Sequence, residues 1–356
     1  MTASRVPPPT GPVVLGLCYP PVWLGDDEAL ARAVAAVEAV DERIEVVVET
    51  YEEGQYLRTL RGRPDGLDEA RGLAPALTTA QRAMFGRVHG VVAIDLPFDV
   101  ASIAPDLAWV QGVGAGYAQL LSAGLADAGI RFTNAAGANA VGIAEFVVGR
   151  ILEERKGFRQ IAAHQVDHDW TPVYGTELAG ATVGLIGFGA ITSAVAGRLA
   201  AFDVEILACR RTVRPDDDAG PVAEMFTTGR LHEMLARCDT VVAAVPETPE
   251  TIGLMDATAF AAMPAGSFFV NVGRGSLCDE PALIDALARG HLRGAALDVA
   301  SIEPLPADHP LWDAPNLTLS YHCSTAPSAL FVNLHRLWTT NIRRWLDGEP
   351  LINEVL

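Results

Sequence analysis

Apolar and polar positions along the chain switch repeatedly between a period of two and a period near 3.6. Val13 to Cys18, Ile44 to Val48, Val91 to Ile94 and Trp109 to Val113 are short β-branched or aromatic runs that read as strands. Between them, Asp27 to Val40 carries a Leu30, Val34, Val37 stripe at helical spacing, and Thr78 to Val88 and Gln119 to Ala128 also read as helices. Residues 50 to 76 are charged and glycine-rich with weak periodicity, so a loop with at most a short helix is expected there. A long alanine-rich helix is expected from Ala140 to Ala163. Strands Thr182 to Ile186, Val204 to Cys209, Thr240 to Ala244, Ser267 to Val272, Gly294 to Leu297 and Leu317 to Tyr321 then alternate with helices near 229–236, 256–262 and 280–289. An amphipathic helix, Leu330 to Trp345, closes the chain. Strands alternating with helices predict an α/β protein with parallel sheets.

At 356 residues the chain exceeds the size at which one hydrophobic core stops growing, so two domains are expected. Half of the residues are hydrophobic and 20% are charged, which fits a soluble globular protein. The formal charge of −18 argues against binding nucleic acid, and any anionic ligand needs local arginines and helix ends to overcome the overall field. The five cysteines are scattered, odd in number and lack a C-x-x-C pair, as expected for reduced thiols in the cytoplasm and without a zinc signature. Met1 to Pro12 is polar and proline-rich, unlike a signal peptide, and reads as a loose tail. Residues 180 to 197 are uncharged over a length that just reaches a membrane span, but their glycines point instead to a buried unit, and no membrane partner is expected.

That unit is the centre of the sequence. Thr182 to Ile186 runs into Gly187-Phe188-Gly189 and then into small helix formers, the order strand, tight turn, helix. Gly187 permits a sharp turn, Gly189 lets the backbone approach a pyrophosphate, and the helix start offers free N–H groups. Thr192 stands at the third glycine position of G-x-G-x-x-G. A second strand ends at Cys209, twenty residues after Gly189, and is followed by Arg210, Arg211, Thr212, Val213 and Arg214 with no acid at the tip. An acid there binds a ribose 2′-OH, whereas Arg210 and Arg211 suit a 2′-phosphate, so NADP is favoured over NAD. A solvated basic loop is the plainer alternative. The fold class expected is two Rossmann-like or flavodoxin-like parallel-sheet domains with a cleft between them.

Three strand tips carry further chemistry. Arg274 lies between glycines after Ser267 to Val272, where a guanidinium can grip a carboxylate with two parallel hydrogen bonds. Asp298 and Glu303 follow Gly294 to Leu297, and His322 follows Leu317 to Tyr321. Singly, Asp298 reads as a cap, Glu303 as solvated and His322 as a core histidine. Ligands of open parallel sheets bind at such tips, so the convergence points to one site.

Over residues 105 to 325 the chain resembles the D-isomer-specific 2-hydroxyacid dehydrogenase family. The matching motifs are Gly187-Phe188-Gly189-Ala190-Ile191, Val245 to Thr251, Asn271 to Gly275, Ala296-Leu297-Asp298-Val299 with Glu303-Pro304-Leu305-Pro306, and Pro315-Asn316-Leu317 leading to His322. The resemblance implies hydride transfer between NAD(P)H and the carbonyl carbon of a 2-keto acid, giving a D-2-hydroxy acid. It implies a substrate-binding domain from 1–134 and 325–356 and a nucleotide-binding domain from 135–324. Arg274 would bind the substrate carboxylate with the backbone at Ala115 and Gly116, His322 would be the acid/base, and Glu303 would pair with it. Cofactor contacts would come from Gly187, Gly189, Ala190, Ile191, Arg210, Arg211, Pro246, Thr251, Val272, Gly273 and Asp298, the last holding the nicotinamide carboxamide. A cytoplasmic homodimer, joined through the helix at 140–163, is also implied.

The chain departs from the family pattern at Thr192, at Arg210 in place of an acid, at Ala118 in place of an aspartate, and at Tyr321 in place of the usual proline before the histidine, followed by Cys323-Ser324-Thr325. A nucleotide-binding interaction protein, like the related C-terminal-binding-protein corepressors, is the alternative function. Retention of Arg274, Glu303 and His322 together counts against it.

Overall fold

The structure, a computed structural model, describes residues 9–18, 20, 26–213 and 219–356. Residues 1–8 of the expected tail and Arg214 of the basic tip lie outside them. The chain divides into two compact units, Met1–Ala138 with Pro327–Leu356, and Asn139–Ala326.

The first unit contains β1 (Val13–Leu17), α1 (Asp27–Glu38), β2 (Ile44–Val48), α2 (Gln55–Arg61), α3 (Leu67–Leu73), α4 (Thr79–Phe85), β3 (Gly90–Ala93), β4 (Trp109–Gly112), α5 (Ala118–Leu121) and β5 (Arg131–Thr133). Its strands form a parallel sheet in the order β2-β1-β3-β4-β5. The terminal helix covers one face, where Leu334, Trp338, Ile342 and Trp345 pack with Val13, Leu15, Leu17 and Trp109. Met84 and Phe85 from α4, with Leu96, Leu120 and Phe132, build the core of the other face.

The second unit contains α6 (Ala140–Lys156), α7 (Phe158–Val166), β6 (Thr182–Ile186), α8 (Ala190–Leu199), β7 (Glu205–Arg210), β8 (Glu224–Thr227), α9 (Leu231–Leu235), β9 (Thr240–Ala243), α10 (Ala257–Ala262), β10 (Ser267–Asn271), α11 (Glu280–Ala288), β11 (Leu292–Leu297) and β12 (Leu317–Leu319); α12 (Pro327–Leu346) then returns to the first unit. The seven strands are parallel in the order β12-β11-β10-β9-β6-β7-β8. Helices α6 and α8 cover one face through Val147, Ile151, Val195 and Leu199. Helices α9, α10 and α11 cover the other through Met234, Phe260 and Leu283. A parallel sheet covered on both faces explains the uncharged, β-branched central strands.

Three expected elements differ, and two strands were not expected. The helix expected from Ala140 to Ala163 breaks at Gly157, which adopts the left-handed conformation (φ 65°) and caps α6 by donating its N–H to the carbonyls of Glu153 and Glu154. Residues 50–76 hold two helices, α2 and α3, whose apolar signal is weak because α2 buries a charged side chain, Arg61, alongside Leu57. The helix expected from Gln119 to Ala128 is only the single turn of α5 and gives way to Gly124 at φ 80°. Strands β5 and β8 were not expected; each is last in its strand order, and each carries a charged residue, Arg131 and Glu224.

Candidate active site

The glycine-rich turn joins β6 to α8. Gly187 sits at φ 89°, and a Cβ there would fall 2.6 Å from Val245 Cγ1 and 3.0 Å from the Ala244 carbonyl oxygen. The conformation and the close approach both require glycine. Gly189 is different: a Cβ would meet no protein atom within 4 Å. Its side of the turn is open to a ligand, and the N–H groups of Ala190 and Ile191, in the first turn of α8, have no acceptor within the helix. That combination fits the pyrophosphate of a dinucleotide.

Thr192 does not disturb this arrangement. It is fully buried, and its Oγ1 accepts the Gly189 N–H at 3.0 Å. The hydroxyl therefore closes the turn from within, while β6 and α8 keep their packing through Leu185, Val195 and Ala196.

Gly273 approaches the same point from β10, where a Cβ would lie 3.0 Å from the backbone N and O of Val245. Val272 is buried beside it. Pro246 and Thr251 close a turn, since Thr251 Oγ1 donates to the Pro246 carbonyl at 2.7 Å and accepts the Thr248 N–H at 2.8 Å. Arg210 ends β7 in register with Thr227 on β8, and Arg211 follows it. The Thr248 hydroxyl, the backbone and the charge of Arg211 hold the Glu250 carboxyl below its ordinary value, so Arg211 has an acidic neighbour.

At the tips of β10, β11 and β12 the sequence candidates meet. Arg274 follows β10 and donates Nη1 to the Gly273 carbonyl at 2.7 Å. The buried Asn271 side chain fixes its backbone by accepting the Gly273 N–H at 3.0 Å and donating to the Arg274 carbonyl at 2.9 Å. Glu303 follows β11 and spans two donors: Oε1 accepts the Ala300 N–H at 3.0 Å and Oε2 lies 2.8 Å from His322 Nδ1. The Glu303 contact and burial act in opposite directions on the imidazole, and the contact wins, so His322 stays protonated above its ordinary value. Burial pushes Glu303 up, but the His322 hydrogen bond, the Ala300 N–H and the charges of His322 and Arg274 together hold it down. The His322 side chain is 54% exposed, and Nε2 has no hydrogen-bond partner among the described residues.

Asp298 braces the loop that follows β12. It is buried, and its Oδ1 accepts the Ser320 hydroxyl at 2.8 Å and the N–H groups of Cys323 and Ser324 at 2.9 and 3.1 Å. Its own carbonyl accepts the His322 N–H at 2.6 Å. These bonds hold Tyr321 and His322 at positive φ, 54° and 57°, a region costly for side-chain-bearing residues and kept only where surroundings enforce it. Proline cannot take φ near +54°, so the family's usual proline is excluded at 321 in this backbone. Tyr321 is 73% exposed and stacks on Trp312 with centroids 5.8 Å apart. Neither Asn271 nor Trp312 was singled out from sequence, because an asparagine ending a strand and a tryptophan in a loop carry no chemistry by type alone. Ala115 and Gly116 lie in the other unit, on the loop after β4.

Residues 148–324 match the family model of the D-isomer specific 2-hydroxyacid dehydrogenase NAD binding domain. A glyoxylate reductase of Thermofilum pendens is 34% identical over 257 residues, covering 70% of this chain and 75% of that protein. The human glyoxylate reductase/hydroxypyruvate reductase is 36% identical over 189 residues, 52% of this chain and 57% of that protein. Against the D-3-phosphoglycerate dehydrogenase of Mycobacterium bovis, 34% identical, the chain spans only 42% of the relative's length. Among solved structures, a D-isomer specific 2-hydroxyacid dehydrogenase from Xanthobacter autotrophicus Py2 in complex with NADPH and MES superposes with a TM-score of 0.73 at 26% identity, over 96% of this chain and 98% of that one. An NADPH-dependent glyoxylate/hydroxypyruvate reductase from Sinorhizobium meliloti in complex with NADP and sulfate gives 0.72 at 25% identity, over 97% and 98%. No described helix is long and apolar enough to cross a membrane. The glycine cradle, the Arg274, Glu303 and His322 tips and these matches over three quarters of a relative's length have one common account: the chain belongs to the D-isomer specific 2-hydroxyacid dehydrogenase family.

Proposed function

We propose that this protein is a reductase of 2-keto acids, giving D-2-hydroxy acids and using NADPH in preference to NADH. The observation that carries the reading is the Glu303–His322 contact at 2.8 Å, at a strand tip of the same sheet edge that bears Arg274. Arg274 holds the substrate carboxylate, and its positive charge anchors one end of the molecule. A nicotinamide cofactor held at the glycine-rich turn would supply the hydride. As charge develops on the carbonyl oxygen, His322 donates its Nε2 proton to it, and Glu303 stabilises the cation that is ready to donate. Half-exposed, the imidazole recovers its proton from solvent for the next turnover.

Arg210 and Arg211 at the end of β7 support the preference for NADPH, because arginines stand where an acid would receive a ribose 2′-OH. Apolar surface at the start and end of the α7 region supports a homodimer: Phe158, Ile161 and Val166 are exposed, and Trp170 and Tyr174 are 98% and 90% exposed. The cytoplasm suits a chain whose five cysteines are all free thiols.

A matrix of NADPH and NADH against glyoxylate, hydroxypyruvate and longer 2-keto acids, read by loss of reduced-nicotinamide absorbance, tests the reaction. Oxidation with one or more keto acids, faster with NADPH, is expected. Cofactor binding without turnover across the panel would favour the corepressor-like reading. Sedimentation of the wild type and of Trp170→Glu tests the dimer, with dissociation expected in the variant.

A further inference from the structure

We propose that Gly275 is a positioning residue that couples the carboxylate-gripping turn to the acid/base pair. The inference rests on the reading of Glu303 and His322 given above, but the coupling itself is visible in the backbone. A Cβ built on Gly275 would fall inside the Ala300–Ser301 peptide, against the Ala300 carbonyl carbon, its oxygen and the Ser301 nitrogen. No other glycine among the described residues meets backbone so closely, and its φ is not in the left-handed region, so contact rather than conformation is what requires glycine here.

The residue whose carbonyl Gly275 touches has a specific duty through its own N–H, one peptide earlier. The Ala300 N–H donates to Glu303 Oε1 at 3.0 Å, and the same carboxylate meets His322 Nδ1 through Oε2 at 2.8 Å. On the next residue, the Ser301 N–H donates to Oε1 of the buried Glu280 at 2.7 Å, which holds the peptide in place on the α11 side. Gly275 directly follows Arg274, whose carbonyl is tied to Asn271. Backbone therefore runs from the Arg274 turn to the Ala300 peptide, and from there a single carboxylate bridges to the imidazole. Any side chain at 275 pushes the Ala300–Ser301 peptide aside and carries Ala300 with it, so that the Ala300 N–H is drawn away from Glu303 and the hold of Glu303 on His322 loosens.

The pairing keeps His322 protonated, so loosening it moves the titration midpoint of His322 down. Ring-proton NMR titration reads this directly, with His322→Gln assigning the signal, and needs neither cofactor nor turnover. Failure of the proposed reaction therefore leaves the test intact. Glu303→Gln sets the full downward shift. Gly275→Ala is expected to give at least half of that shift, with a lowered unfolding temperature because backbone has to move, and Gly275→Ala with Glu303→Gln to go no lower in midpoint than Glu303→Gln alone, because both act through one contact. Glu303→Asp, too short to reach both donors, is expected to shift the midpoint in the same direction. In activity, the alkaline fall of kcat/KM should move to lower pH in Gly275→Ala by the amount the NMR midpoint moves. A His322 midpoint unchanged in Gly275→Ala, additive shifts in the double variant, or loss of the whole fold in Gly275→Ala would each overturn the proposal.

Discussion

Two acid–base pairs of this molecule share a chemistry and differ in surroundings. In the second unit Glu303 meets His322 at a loop tip, with the imidazole half exposed. In the first unit Glu53 meets Arg61, and both side chains are wholly buried. Around that buried pair, Tyr51 donates its hydroxyl to Glu53, Arg61 Nε donates to the Ser122 hydroxyl, and the guanidinium lies 4.1 Å from the centre of the Phe98 ring. Glu53 Oε2 and Arg61 Nη2 nevertheless have no hydrogen-bond partner among the described residues. Burial raises Glu53 above its ordinary value in spite of the arginine, whereas Glu303, less deeply set, is held down. Access to water makes the difference: the exposed pair can take up and give back a proton, while the buried one can only lose or keep its structure.

The largest effect expected is on catalysis. His322→Ala should lower kcat by about 10²- to 10⁴-fold with the unfolding temperature unchanged, as measured by steady-state kinetics and a thermal melt on the same sample. A retained rate would break the comparison at once. Next comes stability: Arg61→Ala strands the Glu53 charge and should cost the first unit about 3–5 kcal/mol in denaturant unfolding followed by its core tryptophans, Trp109 and Trp345, while the His322 titration stays put. Smaller again, replacing both partners, Glu53→Leu with Arg61→Met, should restore most of that loss, because an apolar pair of similar volume avoids the desolvation cost. Failure to recover would mean that the surrounding Tyr51 and Ser122 contacts need the charges.

The smallest effect lies in the pH dependence of stability, where two histidines oppose each other. His322 is raised in the folded protein, so its contribution is complete below the unfolded value of about 6.5 and is lost as pH rises through its folded value. His335, on α12 against Trp338, is lowered by burial, so its contribution is complete above about 6.5 and is lost as pH falls through its folded value. Melts in His335→Phe should lose less stability on acidification than the wild type, and melts in His322→Gln should lose less on going alkaline.

The same contrast explains what could be read from sequence. Arg274, Glu303 and His322 were legible because each is a reactive type placed just after an apolar run, and a parallel sheet brings such tips to one edge. Gly187 was legible as a turn. Asn271 and the Ala300 peptide were not, since their work is done by a side-chain amide and a backbone N–H that leave no signature in residue order. The role of Asp298 in bracing the histidine loop depends on four donors spread over residues 320–324, of which folding brings three to its carboxylate and one to its main-chain carbonyl. In the first unit, α2 and α3 escaped because Arg61 takes a place that an apolar residue would mark; β5 there and β8 in the second unit escaped because an outermost strand needs no continuous hydrophobic run.

Tyr321 also fixes what its own position can accept. With its backbone turned to a conformation closed to a pyrrolidine ring, this loop presents its imidazole in a way that a proline at 321 would prevent. Tyr321→Pro is therefore no neutral exchange in this loop, since the ring is admitted only if the stretch from Ser320 to Ser324 is re-laid.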